Sequence, residues 1–128
     1  MSPELIQNLV TAYFDNLQSM NLAGWVELFT EDALICDPVG KPPSKARENA
    51  PAFFGLLSMA FEKLELSQDN VFIAGNGAAV KWTMRVLGKS GKPGMGEGIS
   101  VFAVHESGKI QQVSSYWDDA ALMAQIKG

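Results

Sequence analysis

The sequence predicts an α+β fold, because the spacing of its apolar residues changes between the two halves of the chain. In residues 3–18, apolar side chains recur every three or four positions, as on one face of a helix. In residues 78–87 they alternate with other side chains, as on one face of a β-strand. Helices followed by strands are typical of helices that cover one face of an antiparallel sheet. We therefore expect a curved antiparallel sheet that the N-terminal helices close into a cone around an apolar pocket.

The composition indicates one globular domain spanning residues 1–128. Apolar residues make up 47% of the 128 residues and charged residues 19%, which excludes a disordered chain. The net charge of −4 argues against a nucleic-acid partner, and no apolar run reaches the roughly 18 residues that cross a membrane. The start, MSPELIQN, lacks the features of a secretory signal, and the single cysteine, Cys36, allows no intramolecular disulfide. These features predict a cytoplasmic protein with neither a nucleic acid nor a membrane as partner.

Three helices are predicted in the first half. Ser2 before Pro3 is a typical helix start, and Asn21 can cap a short second helix. A third helix is predicted over residues 44–64. Its inner face carries Phe53, Phe54, Leu57 and Phe61. Between the second and third helices, ALICD is predicted to be a brief strand that ends where the loop PVGKPP begins.

Three strands are predicted in the second half. The first is AAVKWTMRVLG, and it is followed by GEGISVFAVH and IQQVSSYW, which the turn ESGK joins. The apolar face of the first strand consists of Ala78, Val80, Trp82, Met84 and Val86. After the last strand, Asp118 and Asp119 are expected to cap a final helix, AALMAQI.

Asp37 ends an apolar strand and immediately precedes Pro38. Counting by twos places it on the face of Ala33 and Ile35, at the margin of the interior. A carboxylate that loses hydration has a raised pKa and accepts protons more readily near neutral pH. The alternative is structural, because aspartate before proline is a common start of a turn. The residues alone leave both interpretations open.

Tyr13 lies within the apolar stripe of the first helix. A buried tyrosine needs a partner for its hydroxyl, and that hydroxyl could donate to an oxyanion forming on a substrate. The alternative is an ordinary core residue whose hydroxyl bonds a carbonyl group or water. Trp82, Met84, Phe102 and Trp117 on the predicted strands present a similar choice, since they can line a pocket for a flat hydrophobic ligand or fill the core.

The residue inventory restricts the possible chemistry. His105 is the only histidine, which disfavours histidine-based metal sites and serine or cysteine triads. We therefore expect no metal site. Any catalysis would depend on carboxylate, tyrosine, lysine or hydroxyl groups.

The segment LFTEDALICDPVG, with Tyr13 placed 24 residues before Asp37, closely resembles the bacterial ketosteroid isomerases. These enzymes belong to the NTF2-like (SnoaL-like) superfamily of α+β cones. The ending GKI…YWDDAALMAQ resembles the last strand and tail of that superfamily, so the likeness extends over nearly the whole chain.

The resemblance implies that Asp37 is the general base and that Tyr13 hydrogen-bonds the developing enolate oxygen. In ketosteroid isomerase, the standard example of a carboxylic acid kept neutral at pH 7, a protonated aspartic acid is the second donor to that oxygen. Alignment through Phe102 and Gly108 places Ser100 at that position, and a one-residue change of register would place Ile99 or Val101 there. The side chains expected to contact the substrate are Trp82, Met84, Phe102, Val113, Ser115, Trp117, Phe53 and Phe54.

The leading hypothesis is a cofactor-independent isomerase that moves a proton on a small hydrophobic ketone, such as a steroid, terpenoid or polyketide. Two alternatives stay open, and Ser100 in place of the second acidic donor favours the non-catalytic one. One is a SnoaL-like polyketide cyclase, and the other is a non-catalytic protein that binds a hydrophobic ligand or serves as a dimerisation module. The resemblance also implies a homodimer that forms through the outer face of the sheet.

Overall fold

A computed structural model describes residues 1–128 as four helices and six strands. The helices are α1 (Pro3–Gln18), α2 (Leu22–Val26), α3 (Ala46–Ala60) and α4 (Asp119–Ile126). The strands are β1 (Phe29–Cys36), β2 (Ser44–Lys45), β3 (Phe61–Ala74), β4 (Gly77–Gly88), β5 (Pro93–Val104) and β6 (Ile110–Tyr116). The α+β class predicted from the sequence is confirmed.

The six strands form one sheet in the order β2-β1-β6-β5-β4-β3. Every neighbouring pair is antiparallel except β1 and β6, which run parallel, so the sheet is mostly antiparallel, as predicted. Parallel neighbours need a long connection, and here the whole segment from β2 to β5 separates β1 from β6. Helix α1 packs against β3 and β4, and α3 packs against β1, so the helices close the concave face. No helix combines the length and the apolar character that crossing a membrane requires.

The predicted helix starts are confirmed by their capping bonds. The side chain of Ser2 accepts a 3.1 Å hydrogen bond from the amide of Leu5, and that of Asn21 accepts one of 3.1 Å from Gly24. Asp118 caps α4 by accepting from the amide of Ala121 at 3.0 Å. These bonds satisfy amides that have no partner inside their own helices.

The third helix ends earlier than predicted, and a long strand follows it directly. Helix α3 stops at Ala60, and Phe61 already has extended backbone angles. Leu64 and Leu66 lie on β3, where Leu64 pairs with Val86 of β4. The spacing of Phe61 and Leu64 fits a helix, and a bulge between Phe61 and Lys63 breaks the alternation that would have indicated a strand. Pairing with β4, the next strand along the chain, therefore overrides the local helical pattern.

The alternation predicted for β4 is confirmed and sets the register of its neighbours. The residues Ala78, Val80, Trp82, Met84 and Val86 are all buried. Val80 pairs with Ser100 of β5, and Ser100 pairs with Ser115 of β6, so these three residues share the concave face. Ile99 and Val101 lie on the opposite face and are exposed, which resolves the register of Ser100.

Candidate active site

A cavity of about 490 Å³ lies between the helices and the concave face of the sheet. Of the 21 residues that line it, 15 are hydrophobic. This volume and composition are typical of sites that enclose a small apolar ligand and orient it with a few polar groups. The polar groups that border the cavity are Asp37, Tyr13, Ser100, Ser115, Lys41 and Asp119, together with the indole nitrogens of Trp82 and Trp117.

Asp37 follows the last residue of β1 and borders the cavity half-buried. The indole Nε1 of Trp117 donates a 2.7 Å hydrogen bond to its Oδ1 atom. Burial raises the pKa of Asp37 from 3.8 to about 6, with a smaller contribution from the charge of Asp119. The bond from Trp117 and the charge of Lys41 act in the opposite direction. The carboxyl group therefore titrates close to neutral pH, which suits a group that accepts and returns a proton.

Tyr13 projects from α1 and is 1% exposed. Its ring packs edge-on against Phe102 and Phe14, with centroid distances of 5.0 and 5.2 Å. Tyr13 borders the cavity, and Trp25 Nε1 is the only enclosed side-chain nitrogen or oxygen atom without a partner, so the phenol oxygen opens into the cavity. Burial and the charge of Asp37 hold the pKa of Tyr13 well above its ordinary value. The phenol keeps its hydrogen and is free to donate it to a ligand.

Ser100 and Ser115 face each other on β5 and β6 at one wall of the cavity. Their Oγ atoms lie 2.7 Å apart, and Trp82 Nε1 donates a 2.9 Å hydrogen bond to Ser100 Oγ. Ser100 thus points inward, as the alignment requires, but its oxygen already has two partners within the chain. A carboxylic acid at this position would reach further into the cavity than this hydroxyl does.

Five of the eight predicted substrate-contacting residues border the cavity: Phe53, Trp82, Met84, Ser115 and Trp117. The expectation that Phe102 and Val113 also line it is corrected, because these two residues pair with each other one row beyond Ser100 and Ser115. Tyr13 packs on Phe102 and separates this row from the cavity, so Phe102 and Val113 belong to the core behind it.

Phe54 likewise does not border the cavity. Its ring packs against Trp25 at a centroid distance of 5.4 Å, because it lies one position away from Phe53 on α3 and points elsewhere.

Several residues that line the cavity were not predicted from the sequence. Leu64 and Leu66 come from β3, which was partly assigned to a helix. Leu56 and Met59 on α3 border the opening and remain largely exposed, at 66% and 77%. The apolar lining of the cavity therefore continues onto the outer surface along α3.

A salt bridge at the mouth of the cavity joins the loop after Asp37 to α4. Lys41 Nζ lies 2.6 Å from Asp119 Oδ2, and both residues border the cavity. Asp119 was expected to cap α4, but Asp118 alone performs that role. This contact depends on two residues 78 positions apart, so no local pattern in the sequence announces it.

Gly98 allows the two cavity tryptophans to approach each other. A Cβ atom at this position would lie 2.7 Å from Trp117 Cβ, 2.7 Å from Trp82 Cζ2 and 2.6 Å from the carbonyl oxygen of Tyr116. The rings of Trp82 and Trp117 meet edge-on with centroids 5.6 Å apart. Because both indole nitrogens donate to polar residues of the site, the absence of a side chain at Gly98 helps to position those donors.

The side chains that commonly bind metals do not cluster in this molecule. No group of three or more histidine, cysteine, aspartate or glutamate residues is arranged to hold a metal ion. The residues that border the cavity can supply a titrating carboxyl group at Asp37, hydrogen-bond donors at Tyr13 and the serines, and an apolar enclosure for a ligand.

Comparison with known proteins gives one family match and a consistent set of structural neighbours. The model of the SnoaL-like domain family matches residues 10–113. The structure of SalBIII, described as an epoxide hydrolase/cyclase-like enzyme with a role in pyran ring formation in the polyether salinomycin, superposes with a TM-score of 0.80 at 23% identity. That match covers 92% of this chain and 94% of SalBIII.

A second neighbour is RV0760c from Mycobacterium tuberculosis, whose structure was solved in complex with estradiol-17beta-hemisuccinate. It superposes with a TM-score of 0.80 at 21% identity and covers 91% of this chain and 96% of that chain. At these identities the neighbours establish the fold alone.

Proposed function

Since the chain belongs to the SnoaL-like domain family, we propose that it is an isomerase that moves a proton on a small hydrophobic ketone. Asp37 acts as the general base, and Tyr13 is the principal donor to the oxygen of the substrate. Ser100 assists as a second, weaker donor. Suitable substrates are steroids, terpenoids or polyketides that carry a ketone with acidic α-hydrogens.

The observation that carries this proposal is the pairing of a near-neutral carboxyl group with a free phenol in one apolar cavity. Burial raises the pKa of Asp37 to about 6, and the Tyr13 hydroxyl opens into the same cavity without a partner in the chain. A base works best when its pKa lies near the working pH, and an oxyanion donor works best when it is already oriented in a place with little water.

In a β,γ-unsaturated ketone, the reaction begins when Asp37 removes a proton from the α-carbon, which lies between the carbonyl group and the carbon–carbon double bond. The electron pair of the broken C–H bond forms a carbon–carbon double bond, and the carbonyl π electrons move to oxygen to give a dienolate. Tyr13 donates a hydrogen bond to that oxygen and lowers the barrier. Asp37, now protonated, returns the same proton to the γ-carbon, which restores the ketone and leaves the carboxylate as it started.

The direct test is to mix the protein with a β,γ-unsaturated ketosteroid and to follow the conjugated enone by ultraviolet absorbance. We expect turnover in the native protein, no turnover with Asp37→Asn, and a loss of about 10²–10³ with Tyr13→Phe. Turnover that persists in Asp37→Asn would contradict the assignment of the base. If the native protein showed no turnover but bound a phenolic steroid tightly, the binding pocket would be supported and isomerisation of this substrate would be contradicted.

A second candidate function is ligand binding or ring closure without isomerisation. It is favoured by Ser100, whose hydroxyl is shorter than the acidic donor of the isomerases and is already bonded to Trp82 and Ser115. A non-catalytic protein would bind hydrophobic ketones equally well with Asp37→Asn. A SnoaL-like polyketide cyclase would instead lose ring closure with that substitution, because an aspartate base activates the carbon that attacks.

The proposed protein partner is a second copy of the chain, so that the protein forms a homodimer. The outer face of the sheet exposes Ile99, Val101 and Tyr116 at 45%, 43% and 54%, and these residues form a cross-strand apolar patch on β5 and β6. A homodimer formed through this face would cover the patch and would leave the mouth of the cavity free on the other side. We expect this homodimer to act in the cytoplasm, with a small hydrophobic molecule as its ligand.

A further inference from the structure

Three polar side chains form a hydrogen-bonded chain along one wall of the cavity. Trp82 Nε1 donates to Ser100 Oγ at 2.9 Å, and Ser100 Oγ and Ser115 Oγ lie 2.7 Å apart. Both serines are 2% exposed, and all three residues border the cavity. Neither hydroxyl makes any other hydrogen bond within the protein.

This chain contains one more donatable hydrogen than it uses. The indole N–H can only donate, so the Ser100 oxygen must accept from Trp82. The bond between the serines uses one of the two hydroxyl hydrogens, whichever serine donates it. The other hydroxyl hydrogen has no acceptor in the chain, although the serine that carries it is almost completely buried.

A buried hydroxyl hydrogen without an acceptor is unfavourable, and the open space beside these serines is the cavity. Water can accept the hydrogen when the cavity holds no ligand. A ligand that displaces this water must supply an oxygen in its place, since otherwise the donor loses its partner. The ligand is therefore selected for an oxygen that can accept a hydrogen bond at this wall.

We propose that Ser100 and Ser115 act together as a single-hydrogen donor that selects ligands with a carbonyl or enolate oxygen, and that either serine can deliver the hydrogen. Reversing the direction of the bond between the serines moves the free hydrogen from one hydroxyl to the other while both oxygens stay in place. The inference rests on the proposed function in one respect, namely that the ligand site is this cavity. It concerns recognition of the oxygen and is independent of proton transfer by Asp37.

The test compares two ligands of similar shape, the ketone 2-acetylnaphthalene and the hydrocarbon 2-isopropylnaphthalene. The hydrocarbon has a methyl group in place of the carbonyl oxygen. Their dissociation constants are measured for the native protein, Ser100→Ala, Ser115→Ala and the double variant, and the series is repeated with Tyr13→Phe to remove the phenol donor. Ser100→Ala is the matched control for the double variant, because both leave the Trp82 indole without its acceptor. Binding of the hydrocarbon reports whether each variant keeps its fold.

We expect the native protein to prefer the ketone and each single variant to keep most of that preference, because the remaining serine still carries a free hydrogen. The double variant should lose about five- to tenfold in ketone affinity with no change for the hydrocarbon. The infrared carbonyl band of the bound ketone should move to higher frequency only in the double variant, since one donor to that oxygen has been removed.

Three results would overturn the proposal: equal ketone affinity in Ser100→Ala and the double variant, the full loss in Ser115→Ala alone, or no preference for the ketone in the native protein. The isomerase assay separates this outcome from failure of the proposed function. If the ketone preference depends on the serines but no turnover is seen, the donor pair is supported and the isomerase is contradicted. If turnover depends on Asp37 but the serines have no effect on ketone binding, the isomerase is supported and the donor pair is contradicted.

Discussion

Trp117 and Asp37 are 80 residues apart in the chain, and a 2.7 Å hydrogen bond from the indole nitrogen joins them at the edge of the cavity. The bond opposes the effect of burial, which raises the pKa of the carboxyl group. It also fixes one carboxylate oxygen while the other remains available to a substrate. The position and the proton affinity of the proposed base therefore depend on a residue that directly follows the last strand.

Trp117→Phe should raise the pKa of Asp37 above about 6, because it removes the bond that stabilises the charged form. In the isomerase assay, the acidic limb of the pH profile of kcat/KM should move to higher pH, so that activity falls more at pH 6 than at pH 8. Tyr116→Phe on the exposed face is the control and should leave the profile in place. An unchanged acidic limb in Trp117→Phe would contradict the assignment of that limb to Asp37.

Asp37→Asn should stabilise the folded protein at neutral pH. The pKa of Asp37 is about 6 in the folded protein against 3.8 for a free carboxyl group, so the folded state binds the proton more tightly than the unfolded state. Protonated Asp37 therefore stabilises the native fold fully below pH 4, and this contribution is lost as the pH rises through 6. The loss amounts to at most about 3 kcal/mol.

Urea unfolding of both proteins at pH 4 and pH 7.5 measures this effect. Asparagine does not titrate, so the advantage of Asp37→Asn should be larger at pH 7.5 than at pH 4. An advantage of the same size at both values would mean that burial does not raise the pKa of this carboxyl group. Asp69→Asn provides a contrast of opposite sign, because hydrogen bonds from Thr83 and Lys81 lower the pKa of Asp69 to about 2.

Tyr13→Phe should separate activity from stability. The phenol oxygen has no partner within the chain, so its removal should change the free energy of unfolding by less than about 0.5 kcal/mol, while the isomerase rate falls 10²–10³-fold. Thermal unfolding beside the enone assay provides both values. A loss of stability above about 1 kcal/mol would indicate that the hydroxyl is bonded inside the protein and has a structural role.

Gly98→Ala should weaken ligand binding at the cavity. The new methyl group would meet Trp117 and Trp82 at 2.7 Å, and both rings would have to move away from their present partners. The matched control is Gly55→Ala on α3, where a Cβ atom meets nothing within 4 Å. This control should gain up to about 1 kcal/mol in stability from helix propensity. Calorimetric binding of a steroid ketone should fall at least tenfold in Gly98→Ala and stay unchanged in Gly55→Ala.

Val101→Glu should dissociate the proposed homodimer, because it places a charge in the middle of the outer apolar patch. Light scattering during size-exclusion chromatography should report a dimer for the native protein and a monomer for the variant. Leu5→Glu on α1, away from the sheet, serves as the control for added charge and should remain dimeric. A native protein that elutes as a monomer would contradict the dimer and would leave the cavity unaffected.

The sequence determined the architecture wherever local chemistry repeats. The capping residues Ser2, Asn21 and Asp118 start their helices as predicted, because a capping bond spans only two or three residues. The apolar face predicted around Trp82 is also confirmed, because that face of β4 is buried along nearly its whole length. Both signals are readable because the residues that cause them are neighbours in the chain.

The tertiary structure decided what no local pattern carries. It ended α3 at Ala60, because pairing of β3 with β4 outweighs the helical spacing of Phe61 and Leu64, and a bulge after Phe61 hides the alternation of the strand. It joined Trp117 to Asp37 and Lys41 to Asp119, pairs about 80 residues apart. Ser100 and Phe102 lie on the same face of one strand, but only Ser100 borders the cavity, because Tyr13 of α1 packs on Phe102. Residue types identify which side chains are capable of proton transfer, but the contacts between distant segments set their pKa values, their partners and their access to a ligand.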